Sequence, residues 1–200
     1  MNTIEDFIKT VILSDVDTMV KTKGLQYLSF GVMASMIEFL GACLDKKDFF
    51  DRGLSGKRFS RAIYELEAFK KYRIYTSDRR SKKIKNVKCD LYRNLRNGMV
   101  HIVKPGKEVA FTERKDPDDG NKHLMVCNFN DGTERLVIVC EDFYSDISEA
   151  ANELLKKMKL ANFPRRNTDL FMNPRLKTVG SKKETTSVPT VSGSASTVSV

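Results

Sequence analysis

Tryptophan is missing from these 200 residues, and histidine occurs only at His101 and His123. So little histidine leaves few ways to build a metal centre or an imidazole-dependent active site. The four cysteines, Cys43, Cys89, Cys127 and Cys140, stand far apart with no C-x-x-C pair, which predicts reduced thiols rather than a zinc knuckle or a disulfide framework. His123 and Cys127 fit one face of a strand, but two ligands do not hold an ion, so no metal is expected. No Walker loop or dinucleotide fingerprint occurs, so no nucleotide cofactor is expected either. A leader with basic, apolar and small-residue regions is also missing, and with reduced thiols this predicts a cytoplasmic protein. The most apolar stretch, YLSFGVMASMIEFLGACL at 27–44, has eighteen residues and contains Glu38. A membrane span needs about twenty apolar residues and tolerates a central carboxylate poorly, so no membrane association is expected.

What the chain has in excess is positive charge. The formal net charge is +9 and the isoelectric point about 9.4. Between Lys57 and Arg96 there are fourteen basic and four acidic residues, so this one segment carries essentially the whole imbalance. Such a segment attracts polyanions, because releasing condensed counterions from a nucleic acid drives binding. Anionic lipid, an acidic protein or plain solvent also satisfies the same charge.

Apolar residues make up 40% of the chain, enough to bury a core. From Thr3 to Lys23 they recur at helical spacing, with Gly24 as a stop. The stretch 27–44 is apolar nearly all round and reads as a buried bundle helix in which Gly31, Ala34, Ser35, Gly41 and Ala42 admit a close neighbour. Its Glu38 then needs a cation, for which an arginine of the basic segment is the candidate. A loop at 51–58 is followed by one helix over 57–72, a basic loop, and a further helix from near Val87 to before Pro105. The period then changes: 108–114, 122–129 and 134–140 read as three strands joined by turns, a small antiparallel meander. A last helix is predicted over 145–160, opened by Ser145 and Asp146. The expected fold is therefore mainly α: an antiparallel bundle of four to five helices, with the meander (about 107–141) inserted before the last. The domain is expected to span 1–163, followed by an extended, disordered polar tail over 164–200.

The stretch LYRNLRNGMVHIVKPG, 91–106, gathers an unusual set of side chains. On a regular helix Arg93, Asn97 and His101 fall at about 0°, 40° and 80° and Arg96 at about 300°, while Leu91, Leu95, Met99 and Ile102 fall between about 160° and 240°. One arc packs inward; the other gathers two guanidiniums, an amide and an imidazole. Cleavage of a phosphodiester in RNA needs a group to take the 2′-hydroxyl proton and cations to meet charge on the phosphoryl oxygens. Histidine and arginine supply these without a metal.

Arg96-Asn97-Gly98-Met99-Val100-His101 resembles the R-x4-6-H motif of HEPN ribonucleases, and with 24–44 the motif stretch is similar to bacterial HEPN-like proteins. HEPN domains are antiparallel helical bundles whose active members pair two motifs across a composite cleft. The resemblance implies a metal-independent endoribonuclease acting as a toxin, in defence or in RNA processing. His101 is then general base or acid, Arg96 the phosphate and transition-state cation, and Asn97 an orienting group. It also implies RNA as substrate, a homodimer, and an antitoxin or nucleotidyltransferase-type partner.

Beside these, Arg93 and the basic loop residues Arg79, Arg80, Lys82, Lys83 and Lys85 are candidate phosphate contacts, and Glu38 is a candidate support for the site. Two other readings stand alongside catalysis. One is a noncatalytic nucleic-acid- or protein-binding module. The other is a solvated helix face with His101 near the free carbonyls of its last turn.

Overall fold

The computed structural model describes residues 3–81, 84–114 and 122–163, and the predicted tail lies outside the described residues. The fold is mainly helical with one small three-stranded sheet.

Helix α1 runs through three successive segments, Ile4–Phe7, Ile8–Asp15 and Val16–Lys21, and Thr3 caps it by accepting the Asp6 amide at 3.0 Å. Its buried residues Ile4, Ile8, Ile12, Val16 and Val20 come every fourth position. At 3.6 residues per turn that spacing drifts by about 40° per step. The middle segment is wound in wider i→i+5 turns, which absorb the drift and keep all five on one face.

Helix α2, Gln26–Cys43, packs against every other α-helix of the described fold. Of the small residues, Gly41 makes the close approach: a Cβ there would stand 1.8 Å from the Arg58 carbonyl oxygen, so α2 and α3, Ser55–Glu65, touch backbone to backbone, while Ser35 is exposed.

The single helix expected over 57–72 is instead two elements. Leu66 is fully buried in an extended conformation (φ −99°, ψ 128°), and a tight 3-10 segment, Glu67–Tyr75, starts after it. The break is held from outside, since the Glu153 carboxylate of the last helix accepts the amides of Glu67 (2.7 Å) and Ala68 (3.3 Å). Sequence periodicity alone carries no sign of that cap.

Helix α4 comprises Tyr92–Asn97, again in wide turns, and Gly98–Ile102. Strands β1 (Val109–Thr112), β2 (Val126–Asn128) and β3 (Glu134–Val139) then precede α5, Cys140–Met158. The strands are where they were expected, but they do not form an antiparallel meander. β3 lies in the middle, parallel to β1 (Val109 opposite Leu136) and antiparallel to β2 (Val126 opposite Leu136). The reason is burial: Leu136, Val137, Ile138 and Val139 are all inside, a continuous apolar run suited to a central strand, while Val126 and Asn128 of β2 are exposed at an edge. β3 passes directly into α5, so that helix begins five residues before Ser145. Phe111 of β1 stacks on Phe30 of α2 at 3.9 Å between centroids, fixing the sheet to the helices.

Candidate active site on helix α4

Helix α4 is clamped at both ends. At its start, buried Asp90 accepts the Arg93 amide (3.1 Å) through one carboxylate oxygen, and its carbonyl accepts the Asn94 amide (2.8 Å). In its middle, buried Asn94 donates to the Asp90 carbonyl (3.0 Å) and to Glu108 Oε2 (2.9 Å), while its own carbonyl accepts the Gly106 amide at 2.7 Å. The chain after the helix therefore folds back over it. Gly98, inside the R-x4-H stretch, is what permits this, for a Cβ there would stand 2.4 Å from the Lys104 carbonyl oxygen. The reversal passes through Val103, a β-branched residue in the left-handed region (φ 52°), whose carbonyl accepts the Tyr27 hydroxyl at 2.8 Å.

The clamped helix brings three of the expected residues together. Arg96 Nη1 is 3.1 Å from His101 Nε2 and 3.3 Å from Asn97 Oδ1. Its Nε and Nη2 both meet Glu38 Oε2 at 2.8 Å, the cation that a carboxylate in α2 requires. The Arg96 and Glu38 side chains are only 14% and 20% exposed, whereas His101 is exposed. An arginine N–H can only donate, so in this arrangement Nε2 of His101 is an acceptor and the ring proton of the neutral imidazole sits on Nδ1. The pair thus presents a base whose lone pair is covered by a guanidinium, at a surface open to solvent.

Arg93 is exposed on the same helix, and its guanidinium makes no salt bridge among the described residues. The basic loop is arranged differently from what its composition suggests. Arg79 donates to both oxygens of Asp90 at 3.0 Å and lies 4.5 Å from the centre of the Tyr92 ring. Arg80 pairs with Asp78 (2.9 Å) and Glu65 (3.0 Å) and lies over Tyr64. Both guanidiniums are tied into the fold, with their charge met by carboxylates. Lys85 is exposed, and Lys82 and Lys83 lie outside the described residues.

Two residues behind the site, Asn94 and Tyr92, carry no sequence signal for their roles, whereas Asp90 is a residue type that favours the position just before a helix. Asn94 falls on neither the apolar nor the cationic arc.

His123 stands apart from the site. It precedes β2, so it does not share a strand face with Cys127, and the Val139 amide donates to its Nδ1 at 3.1 Å. Its Nε2 lies 2.7 Å from the Tyr72 hydroxyl, which donates to Asp146 Oδ2; Lys71 meets Asp146 Oδ1 at 2.8 Å. Burial opposes ionisation of Asp146, but hydrogen bonds from His123, Lys71 and Tyr72 outweigh it and hold the carboxyl below the ordinary aspartate range. Burial also pushes the Cys140 thiol up to about 11 and raises that of Cys89, so neither is a ready nucleophile. Among the described residues no three His, Cys, Asp or Glu side chains converge as metal ligands, and no helix is long and apolar enough to cross a membrane.

No protein-family model matches the chain, and no curated protein or solved structure matches it.

Proposed function

We propose that the protein is a HEPN-type endoribonuclease built on an antiparallel helical bundle, acting on RNA without a metal. The observation that carries this reading is the 3.1 Å contact between Arg96 and exposed His101, with Arg96 held from behind by Glu38. The reaction class follows from what these groups do best. A phosphate arriving at the site takes the Nη1 donor of Arg96, which uncovers Nε2 of His101. The freed nitrogen accepts the proton of the 2′-hydroxyl, and the 2′-oxygen attacks phosphorus. Arg96 meets the charge on the non-bridging oxygens. The P–O5′ bond breaks, and the departing oxygen is protonated from water. The products are a 2′,3′-cyclic phosphate and a 5′-hydroxyl. Asn97 Oδ1 steadies Arg96, and exposed Arg93 and Lys85 contact flanking phosphates.

The same reading calls for a homodimer. Tyr27, Leu28, Val100, Ile102 and Val103 are exposed apolar residues; the last three lie on or just after α4, and Tyr27 is tied to Val103 through its hydroxyl. Pairing through them sets two copies of the motif beside one another and removes the apolar surface from water. Roles as a toxin with an antitoxin or nucleotidyltransferase-type partner, in defence, or in RNA processing are all compatible with this chemistry.

The test is the product. End-labelled single-stranded and hairpin RNAs, incubated with the protein in EDTA, are expected to yield fragments ending in 2′,3′-cyclic phosphate, identified by mass. Fragments ending in 3′-hydroxyl, or cleavage abolished by EDTA, would overturn the mechanism. Salt-sensitive RNA binding without cleavage would favour the noncatalytic module.

A further inference from the structure

Beside the first turn of α4 lies a cavity of about 440 Å³ that the cleavage chemistry does not use. Its wall includes Ile84, Asn86, Val87, Lys88, Arg93 and Glu108. We propose that it is a nucleotide subsite that takes a guanine base of the RNA; this rests on the ribonuclease reading and names the substrate feature that the same site would recognise.

Glu108 carries the argument, because it is a carboxylate fixed in place before any ligand arrives. Its backbone carbonyl accepts the Leu136 amide at 2.9 Å, and its Oε2 accepts the amide of buried Asn94 at 2.9 Å. Each carboxylate oxygen accepts more than one hydrogen bond, so both remain able to receive donors from the cavity side. Guanine offers two neighbouring donors, N1–H and the exocyclic N2–H2, spaced to meet the two oxygens of one carboxylate. Adenine and cytosine each place a ring acceptor next to their amine, and uracil flanks its single N–H with two carbonyls. All three would set a lone pair against Glu108. Ile84 and Val87 give the base an apolar wall, and the Asn86 amide adds a donor.

Arg93 supplies the link to the cleavage site. It is eight residues before His101 on the same helix, at most about 12 Å along the axis since the wide turns of Tyr92–Asn97 rise less than the 1.5 Å per residue of an α-helix, and its exposed guanidinium suits the phosphate of the bound nucleotide. Lys88 is paired with Glu134 and Asp90 with Arg79, so the charge left for a ligand in this cavity is that of Arg93 and Glu108.

The experiment is calorimetric titration of the full chain with the four nucleoside 5′-monophosphates and with guanosine. GMP is expected to bind about tenfold or more tightly than AMP, CMP or UMP, the discrimination a bidentate contact gives. Glu108→Gln still accepts from Asn94, so the fold is retained, and GMP should fall to the level of the others. Arg93→Ala should weaken GMP while leaving guanosine unchanged, and His101→Ala should alter neither. Equal binding of the four nucleotides, no binding at all, or an unaltered preference in Glu108→Gln would overturn the proposal. Guanine-selective binding without RNA cleavage would leave the cavity assigned and remove the nuclease. Cleavage without guanine selectivity would do the reverse.

Discussion

Arg96 and Glu38, 58 positions apart, meet through two contacts of 2.8 Å on a single carboxylate oxygen. The pair is mostly shielded from water, so Glu38 both compensates a charge in a low-dielectric setting and fixes the direction in which Nη1 points at His101. Removing the carboxylate with Glu38→Ala should cost about 1–3 kcal/mol of stability, read by urea unfolding. It should also lower RNA cleavage by roughly 10²-fold through loss of positioning. Glu38→Gln keeps one acceptor, and its loss should be smaller on both counts. Unchanged cleavage in Glu38→Ala would show that Arg96 needs no support.

Gly98 gives a second test of how the motif is held. Gly98→Ala drives a methyl group to within 2.4 Å of the Lys104 carbonyl oxygen and 3.0 Å of the Gly106 amide nitrogen. The loop that folds back on Asn94 must move, at a cost of about 1–3 kcal/mol. The measurement is thermal unfolding, with amide exchange at Gly106 as the local reporter. Faster exchange there is expected, and an unaltered rate would contradict the clamp.

The network around Asp146 predicts a dependence on acid. Because the folded-state carboxyl sits below the ordinary aspartate value, its contribution to stability is present above about pH 4 and is lost as pH falls through the lower folded-state value. Wild-type stability should therefore fall as the solution is acidified through and below pH 4. In Asp146→Asn the same limb should be flatter, with stability near neutral pH reduced by about 1–3 kcal/mol. Denaturant melts at a series of pH values check the sign. A parallel acid limb in both proteins would rule the network out as its source.

Much of this architecture was legible in the sequence, and its failures have physical causes. The apolar periodicity of α1 and the small residues of α2 predicted both helices, and the lone Glu38 in an apolar run called for an arginine partner, which is Arg96. Interactions between distant parts of the chain were not legible. Glu153 caps a 3-10 segment 86 positions away and so ends α3 early. The pairing of β3 with β1 depends on which strand is buried on both sides, a property of the packed whole. The charge count was incomplete for the same reason: part of the surplus between Lys57 and Arg96 is met by carboxylates outside the segment, as with Arg58 and Arg61 on Asp45, Lys71 on Asp146, Lys88 on Glu134 and Arg96 on Glu38. A charge count along the chain does not see partners that arrive from elsewhere.

The exposed apolar side chains on α2 and α4 predict self-association. Leu28→Glu and Ile102→Glu alter residues that are 50% and 68% exposed, so each should leave the fold intact. Sedimentation should then show a dimer for the wild type and a monomer for the double variant. Cleavage should fall with the dimer if two motifs share one cleft. A wild-type monomer at working concentrations would remove the composite cleft.

The central claim, that Arg96 and His101 act together on a phosphodiester, is tested most directly by single-turnover RNA cleavage in EDTA for wild type, His101→Ala, Arg96→Ala and the double variant. Residues acting as one unit give non-additive losses. Each single variant is predicted to lose about 10²-fold or more, and the double variant little beyond that. Cleavage that persists in His101→Ala at the wild-type rate, with melting temperatures unchanged, would contradict the account.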